Sequence, residues 1–276
     1  MQAHSHWTPP TGTLGVIVAE AKLRAEALES QRAAFAARAT DVARGPTLEF
    51  AIRRGRDVSV IAEVKRRSPS KGVIAVALDV VAQARAYAEA GAAAISVLTE
   101  PKHFGGSNDD LLAVRAAVAI PVLKKDFHVA PIQLLEARAL GASTALVIVR
   151  ALSPHQLQQM LEAGHEVGIE LLLEVRTLDE FERVMQCDTG ASLIGVNNRD
   201  LETLVIDPGS AERVIPQLPD SITAIAESGI AGRSDVDRYA RCGADAVLVG
   251  SLLSGATDPV AATRALVGSA KVGRAH

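Results

Sequence analysis

The chain has 276 residues, a length that suits a single α/β barrel of about 250 residues. With 48% hydrophobic and 22% charged residues it has a globular composition, which argues against disorder and coiled coil. A net charge of −3, two cysteines and 3% aromatics argue against a nucleic-acid or membrane-surface partner, a disulfide scaffold and a base-stacking platform.

The first twelve residues, MQAHSHWTPPTG, hold no basic or apolar stretch and do not read as a signal peptide. No window approaches the roughly 18 apolar residues of a membrane span, so the expectation is a soluble, cytoplasmic protein. Residues 13–38 read as one long helix rich in Ala, Leu, Glu and Arg, its charges from Lys22 to Arg38 forming a solvated face. Gly45-Pro46 ends that stretch, and residues 47–54 read as a short helix. Apolar residues such as Leu14, Ile17, Leu28, Phe35 and Phe50 need a partner surface. The segment 13–54 is therefore expected to pack on the rest of the chain, either over the functional end or as a cap on the opposite one.

Beyond it the texture changes to short apolar runs at 58–64, 93–98, 120–123, 144–149, 169–175, 192–196, 222–226 and 246–249. Runs of this continuity suit parallel strands buried on both faces. Helical spacing of apolar residues over 80–90, 132–140 and 178–185 supplies crossover helices. Gly-Ala recurs at Gly91, Gly141, Gly190 and Gly243, each time before an apolar run, where glycine suits a left-handed helix terminator. Eight parallel βα units close most simply into a (β/α)8 barrel, and residues 1–276 read as one such domain with 13–54 as an N-terminal helical extension. An open doubly wound sheet is the alternative, but no G-x-G-x-x-G follows the first run.

Barrel chemistry lies at strand C-termini. Glu63 and Lys65 end the first run two residues apart, on one face of the strand. Lys124-Lys125 follow the third, and one of the two must face inward. Glu174 comes late in the fifth, Asn197 and Arg199 end the sixth, Glu227-Ser228-Gly229 the seventh, and Gly250-Ser251 the eighth. Polar groups at so many strand ends point to a preorganised site. A structural ion pair at Glu63 and Lys65 is the alternative there. Glycines after the last two strands suit a phosphate-holding pair of turns, or tight turns alone. Lys65, Lys125 and Arg199 favour an anionic substrate. His4-x-His6 is the nearest approach to a metal spacing, and no metal is expected. Cys187 and Cys242 lie away from strand ends and read as ordinary free thiols.

Seven strings sharpen this reading: IAEVKRRSPSKG at 61–72, ISVLTEPKHFGGS at 95–107, PVLKKDF at 121–127, LLEV at 172–175, IGVNNRDL at 194–201, IAESGI at 225–230 and LVGS at 248–251. Their order and spacing over about 190 residues resemble the indole-3-glycerol phosphate synthase family, which also carries a helical N-terminal extension. The resemblance implies ring closure of 1-(2-carboxyphenylamino)-1-deoxyribulose 5-phosphate, with loss of carbon dioxide and water, in tryptophan biosynthesis. It implies no cofactor, a phosphorylated small molecule as partner, and other tryptophan-pathway enzymes as possible neighbours. Lys125 looks like the general acid, Lys65 the partner of the substrate carboxylate, and Glu174 the later acid–base group. Glu63, Asn197, Glu227 and Ser228 would complete the catalytic shell. Ser68, Arg199, Gly229, Gly250 and Ser251 fall where the family holds phosphate or orients a loop, and Phe104 where an apolar residue covers the aromatic ring. Two departures stand out: Arg176 replaces a common His, and Gly250-Ser251 lacks an inserted Glu.

Overall fold

The structure is a computed structural model that describes residues 7–69, 72–74, 78–187 and 190–274. His4, His6 and His276, and Ser70 and Lys71 of the first string, lie outside the described residues. Eight parallel strands close into a barrel: β1 (Ser59–Val64), β4 (Ala94–Leu98), β5 (Val122–Lys125), β6 (Thr144–Ile148), β7 (Glu170–Val175), β8 (Leu193–Asn197), β9 (Thr223–Glu227) and β10 (Ala246–Val249). A short hairpin of β2 (Arg67–Ser68) and β3 (Gly72–Val73) follows β1. Closure comes where β1 pairs with both β10 and β4, Ile61 lying opposite Leu248 on one side and Ala94 on the other. The eight barrel strands coincide with the eight apolar runs to within two residues at each end. The hairpin had no pattern by which to be read, because two-residue strands carry no periodicity.

Helices α1 (Gly12–Leu28), α2 (Arg32–Asp41) and α3 (Leu48–Arg53) precede the barrel. Within and around it lie α4 (Val80–Glu89), α5 (Pro101–Phe104), α6 (Asn108–Ala117), α7 (Pro131–Ala139), α8 (Pro154–Val167), α9 (Leu178–Met185), α10 (Gly209–Val214), α11 (Arg233–Arg241), α12 (Ser251–Ser254) and α13 (Pro259–Arg264). Several start at the caps their sequences offer: Thr47 accepts from the Phe50 N–H, Asp79 from Val81 and Ala82, and Thr177 from Glu180. Gly91, Gly141 and Gly243 end α4, α7 and α11 at φ of +98°, +83° and +85°. Gly190 also has positive φ, but α9 stops at Met185, so it does not terminate that helix.

The extension departs from its sequence reading in three ways. The long helix is interrupted by a 3₁₀ turn at Glu29–Gln31. Arg24 does not belong to a solvated face: its guanidinium donates to Glu100 Oε1 at 3.2 Å and Asp126 Oδ1 at 2.7 Å, both on buried carboxylates. Phe50 is exposed rather than packed. The choice between top cover and bottom cap dissolves, because the segment does both. Leu14, Ile17, Val18, Ala21 and Ala25 bury one stripe of α1, and Thr13 and Ile17 reach the chamber at the strand C-termini. At the other end, the Leu48 and Glu49 N–H groups donate to the Glu170 carboxylate at the start of β7, and Arg53 donates to Thr223 Oγ1 at the start of β9. Among the described residues no helix is long and apolar enough to cross a membrane.

Candidate active site

A chamber of about 340 Å³ opens at the C-terminal ends of the strands, and all the catalytic and substrate-binding residues singled out from the sequence line it. Strand pleating explains why. Glu63 in β1 and Lys65 just after it are two residues apart, so they share the face that meets the chamber, while Ala62 and Val64 fall on the other. The two lysines of β5 divide as the pleat requires. Lys125 faces the chamber, whereas Lys124 is 2% exposed and pairs with Glu136 of α7 at 2.8 Å.

The charged groups form two linked clusters. Lys65 Nζ pairs with Glu63 Oε1 at 2.7 Å. Lys125 Nζ stands 3.5 Å from Glu174 Oε2 and 3.5 Å from Glu227 Oε2. The Asn197 amide donates to Glu174 Oε1 at 3.0 Å, and its carbonyl accepts from the Arg199 N–H at 2.9 Å. Burial, the largest single influence, opposes charge on Lys125, but the carboxylates of Glu227, Glu174 and Glu63 outweigh it and raise its pKa above the usual lysine value. Burial would raise Glu63 as well. Lys65, Lys125 and Arg199 reverse that and hold its carboxyl below the ordinary range. Glu227 goes the other way: burial pushes it up to about 8 against the pull of Lys125, with help from Glu174 and Glu63. Its Oε1 is buried without a hydrogen-bond partner. The chamber thus holds a charged ammonium beside one carboxyl that is neutral near pH 7, a pairing suited to moving protons.

That asymmetry predicts a pH signature. A carboxyl raised to about 8 from an ordinary 4.5 binds more protons folded than unfolded. Its contribution to stability is complete below the unfolded value and is lost as the pH climbs toward 8. Glu227→Gln removes the titration, so its melting temperature should fall less between about pH 4.5 and 8 than that of the unsubstituted protein. Parallel melting curves across that range would show Glu227 to be ionised throughout.

Most of the remaining chamber wall is apolar or glycine, with Thr13, Ser68, Asp126, Ser228 and Ser251 among it. Glu100 caps α5 through the N–H groups of Lys102, His103 and Phe104, which sets the Phe104 ring 6.1 Å from that of Phe127 at a 36° tilt. Ser228 and Gly229 form a left-handed turn after β9, with φ of +66° and +78°. At Gly250 a Cβ would overlap Glu63 Oε1 and Lys65 Nζ, so the glycine makes room for the ion pair as well as shaping a turn. Arg176 lies outside this chamber. It pairs with Asp200 at 3.3 Å in a smaller side cavity of about 80 Å³ that shares Glu174, Asn197 and Arg199.

Some residues that shape the site escaped the sequence reading. At Gly195 in β8 a Cβ would overlap Glu227 Oε1, and a lone glycine inside an apolar run was the available signal. Leu146, Ile148 and Leu248 also line the chamber. Nothing in sequence separates an apolar wall from an apolar core. Glu20, Glu100 and His103 cluster within 4.8 Å, but Glu100 is committed to three backbone N–H groups and Arg24, and Glu20 to Lys102 and His103. They tie α1 to α5, the helix that carries Phe104.

The model of the family described as indole-3-glycerol phosphate synthase matches residues 15–266. The chain belongs to that family. The indole-3-glycerol phosphate synthase of Mycolicibacterium vanbaalenii is 51% identical over 214 residues, covering 78% of each chain. That of Mycobacterium avium is 48% identical over 251 residues, covering 87% of this chain and 92% of its own. Among solved structures, 3-hexulose-6-phosphate synthase from Salmonella typhimurium superposes with a TM-score of 0.61 at 17% identity, covering 76% of this chain and 96% of its own, a likeness of fold. The reaction expected from the sequence, a decarboxylating lyase step of tryptophan biosynthesis, stands with the family.

Proposed function

We propose that the chamber closes the indole ring of 1-(2-carboxyphenylamino)-1-deoxyribulose 5-phosphate with Lys125 as the general acid. The observation that carries the reading is the Lys125 ammonium set between Glu174 and Glu227 at 3.5 Å from each, in a chamber whose other lysine is itself paired. The aromatic carbon bearing the carboxylate attacks the ketone carbon while Lys125 protonates the ketone oxygen. Carbon dioxide then leaves, and its bonding electrons restore the aromatic ring. The new hydroxyl departs as water with a proton from Lys65, and Glu174 takes the proton that completes the indole.

Glu63 holds Lys65, Asn197 holds Glu174, and Glu227 and Ser228 complete the shell. Phe104 covers the ring. Ser68, Arg199, Gly229, Gly250 and Ser251 take the phosphate end, whose remote binding energy helps impose the bent geometry of cyclisation. A cytoplasmic setting among other tryptophan-pathway enzymes belongs to the same reading.

A single-turnover assay with this substrate tests it: indole fluorescence should appear in one enzyme equivalent, and its absence would leave only a barrel that binds a phosphorylated ligand. The phosphate end has its own test. In Gly250→Ala the new methyl displaces the Glu63–Lys65 pair as well as crowding the turn. KM should rise and kcat fall, each on the order of tenfold, and inhibition by inorganic phosphate should weaken. Unchanged phosphate inhibition would place the anion elsewhere.

A further inference from the structure

We infer that Asn198 is a positioning residue for the phosphate end of the chamber, its side-chain amide locking the Ser228–Gly229 turn to the strand end that carries Arg199. The inference rests on the reading that this turn holds phosphate. Asn198 follows β8 directly and is 0% exposed. Its Nδ2 donates to the Ser228 carbonyl at 3.0 Å and to the Tyr239 hydroxyl at 2.9 Å, and its Oδ1 accepts from the Ala211 N–H at 2.9 Å. Its backbone N–H donates to the Glu227 carbonyl at 2.9 Å.

Ser228 is one of two described non-glycine residues at positive φ, a conformation that costs an L-residue on the order of 1 kcal/mol and persists only when its surroundings hold it. Asn198 is what holds it from the neighbouring strand. A carboxamide of this length supplies two donors and one acceptor, and all are used. Aspartate offers no donor, and alanine neither donor nor acceptor. Asn198 itself does not reach the chamber. It acts by keeping Arg199 on one side and the turn on the other in register, so that substrate phosphate meets a preformed wall.

The test compares Asn198→Ala, Asn198→Asp and Tyr239→Phe, with inorganic phosphate as the probe. Tyr239→Phe removes the other partner of the amide and leaves the Ser228 bond intact. Both Asn198 variants should raise KM and the phosphate inhibition constant on the order of tenfold, with a smaller change in kcat. Tyr239→Phe should lower the melting temperature and leave those constants unchanged. Normal phosphate inhibition in both Asn198 variants overturns the inference, as does an equal shift in Tyr239→Phe. So does a failure of both Asn198 variants to fold, which would make the residue part of the core. Gly250→Ala separates the two readings. If it weakens phosphate inhibition while the Asn198 variants do not, only the positioning role fails. If none of the variants alters it, the phosphate end itself is misplaced.

Discussion

Lys125→Ala should lose on the order of 10²–10⁴ in the rate of ring closure while substrate affinity changes far less, the usual scale of a general-acid contribution. The structure explains why the loss should be large and why Lys65 should not replace it. The acidic groups around Lys125, Glu174 and Glu63 among them, raise its pKa against the burial that opposes its charge. Lys65, the other lysine of the chamber, is engaged with Glu63 at 2.7 Å. Truncation also leaves Glu174 and Glu227 facing each other without the cation between them. Glu174 is then left with only the Asn197 amide to hold it for the later proton transfer. Single-turnover fluorescence measures the chemical step, and equilibrium binding of a product analogue measures affinity. Near-normal turnover would move the acid to Lys65.

The barrel was legible in the sequence because its strands are buried on both sides. Their apolar runs are continuous, and five of them, the first, third, fifth, sixth and seventh, end where a charge or an amide appears, so Glu63, Lys65, Lys125, Glu174, Asn197 and Glu227 could be picked out by position alone. Which of Lys124 and Lys125 faces inward was left open by the residues, since both are late in one strand and the pleat phase is set by the barrel. Closure decided it, and Glu136 on α7 supplies the outward lysine with a partner. Long-range pairings were hidden for a different reason. Arg24 meets Asp126 across 102 positions, and Asn198 meets Ser228 across 30, so no local pattern announces either. A charged residue on an amphipathic helix reads as solvated until something buried is found opposite it. Gly195 carried a readable signal, a glycine inside an apolar strand, but only the side chain it accommodates gives that signal a function.

Deleting the chain up to Thr47 should leave a folded barrel whose kcat/KM falls on the order of 10²-fold. The cut removes α1 and α2 but keeps α3, whose contacts with Glu170 and Thr223 close the N-terminal ends of the strands. What is lost lies at the opposite end. Thr13 and Ile17 leave the chamber wall, which opens the reacting groups to water. Arg24 leaves Glu100 and Asp126, so the buried Glu100 loses its cation and Asp126 keeps only Lys124, at 3.9 Å. Asp126 adjoins Lys125, and Glu100 caps the helix that places Phe104, so the damage should pass to both the acid and the ring cover. Arg53→Ala is the matching change at the bottom. It removes the bond to Thr223 and should lower the melting temperature while leaving the steady-state constants in place. If the deletion behaved as Arg53→Ala does, with less stability and unchanged constants at low temperature, α1 would be a brace on the barrel and not a wall of its chamber.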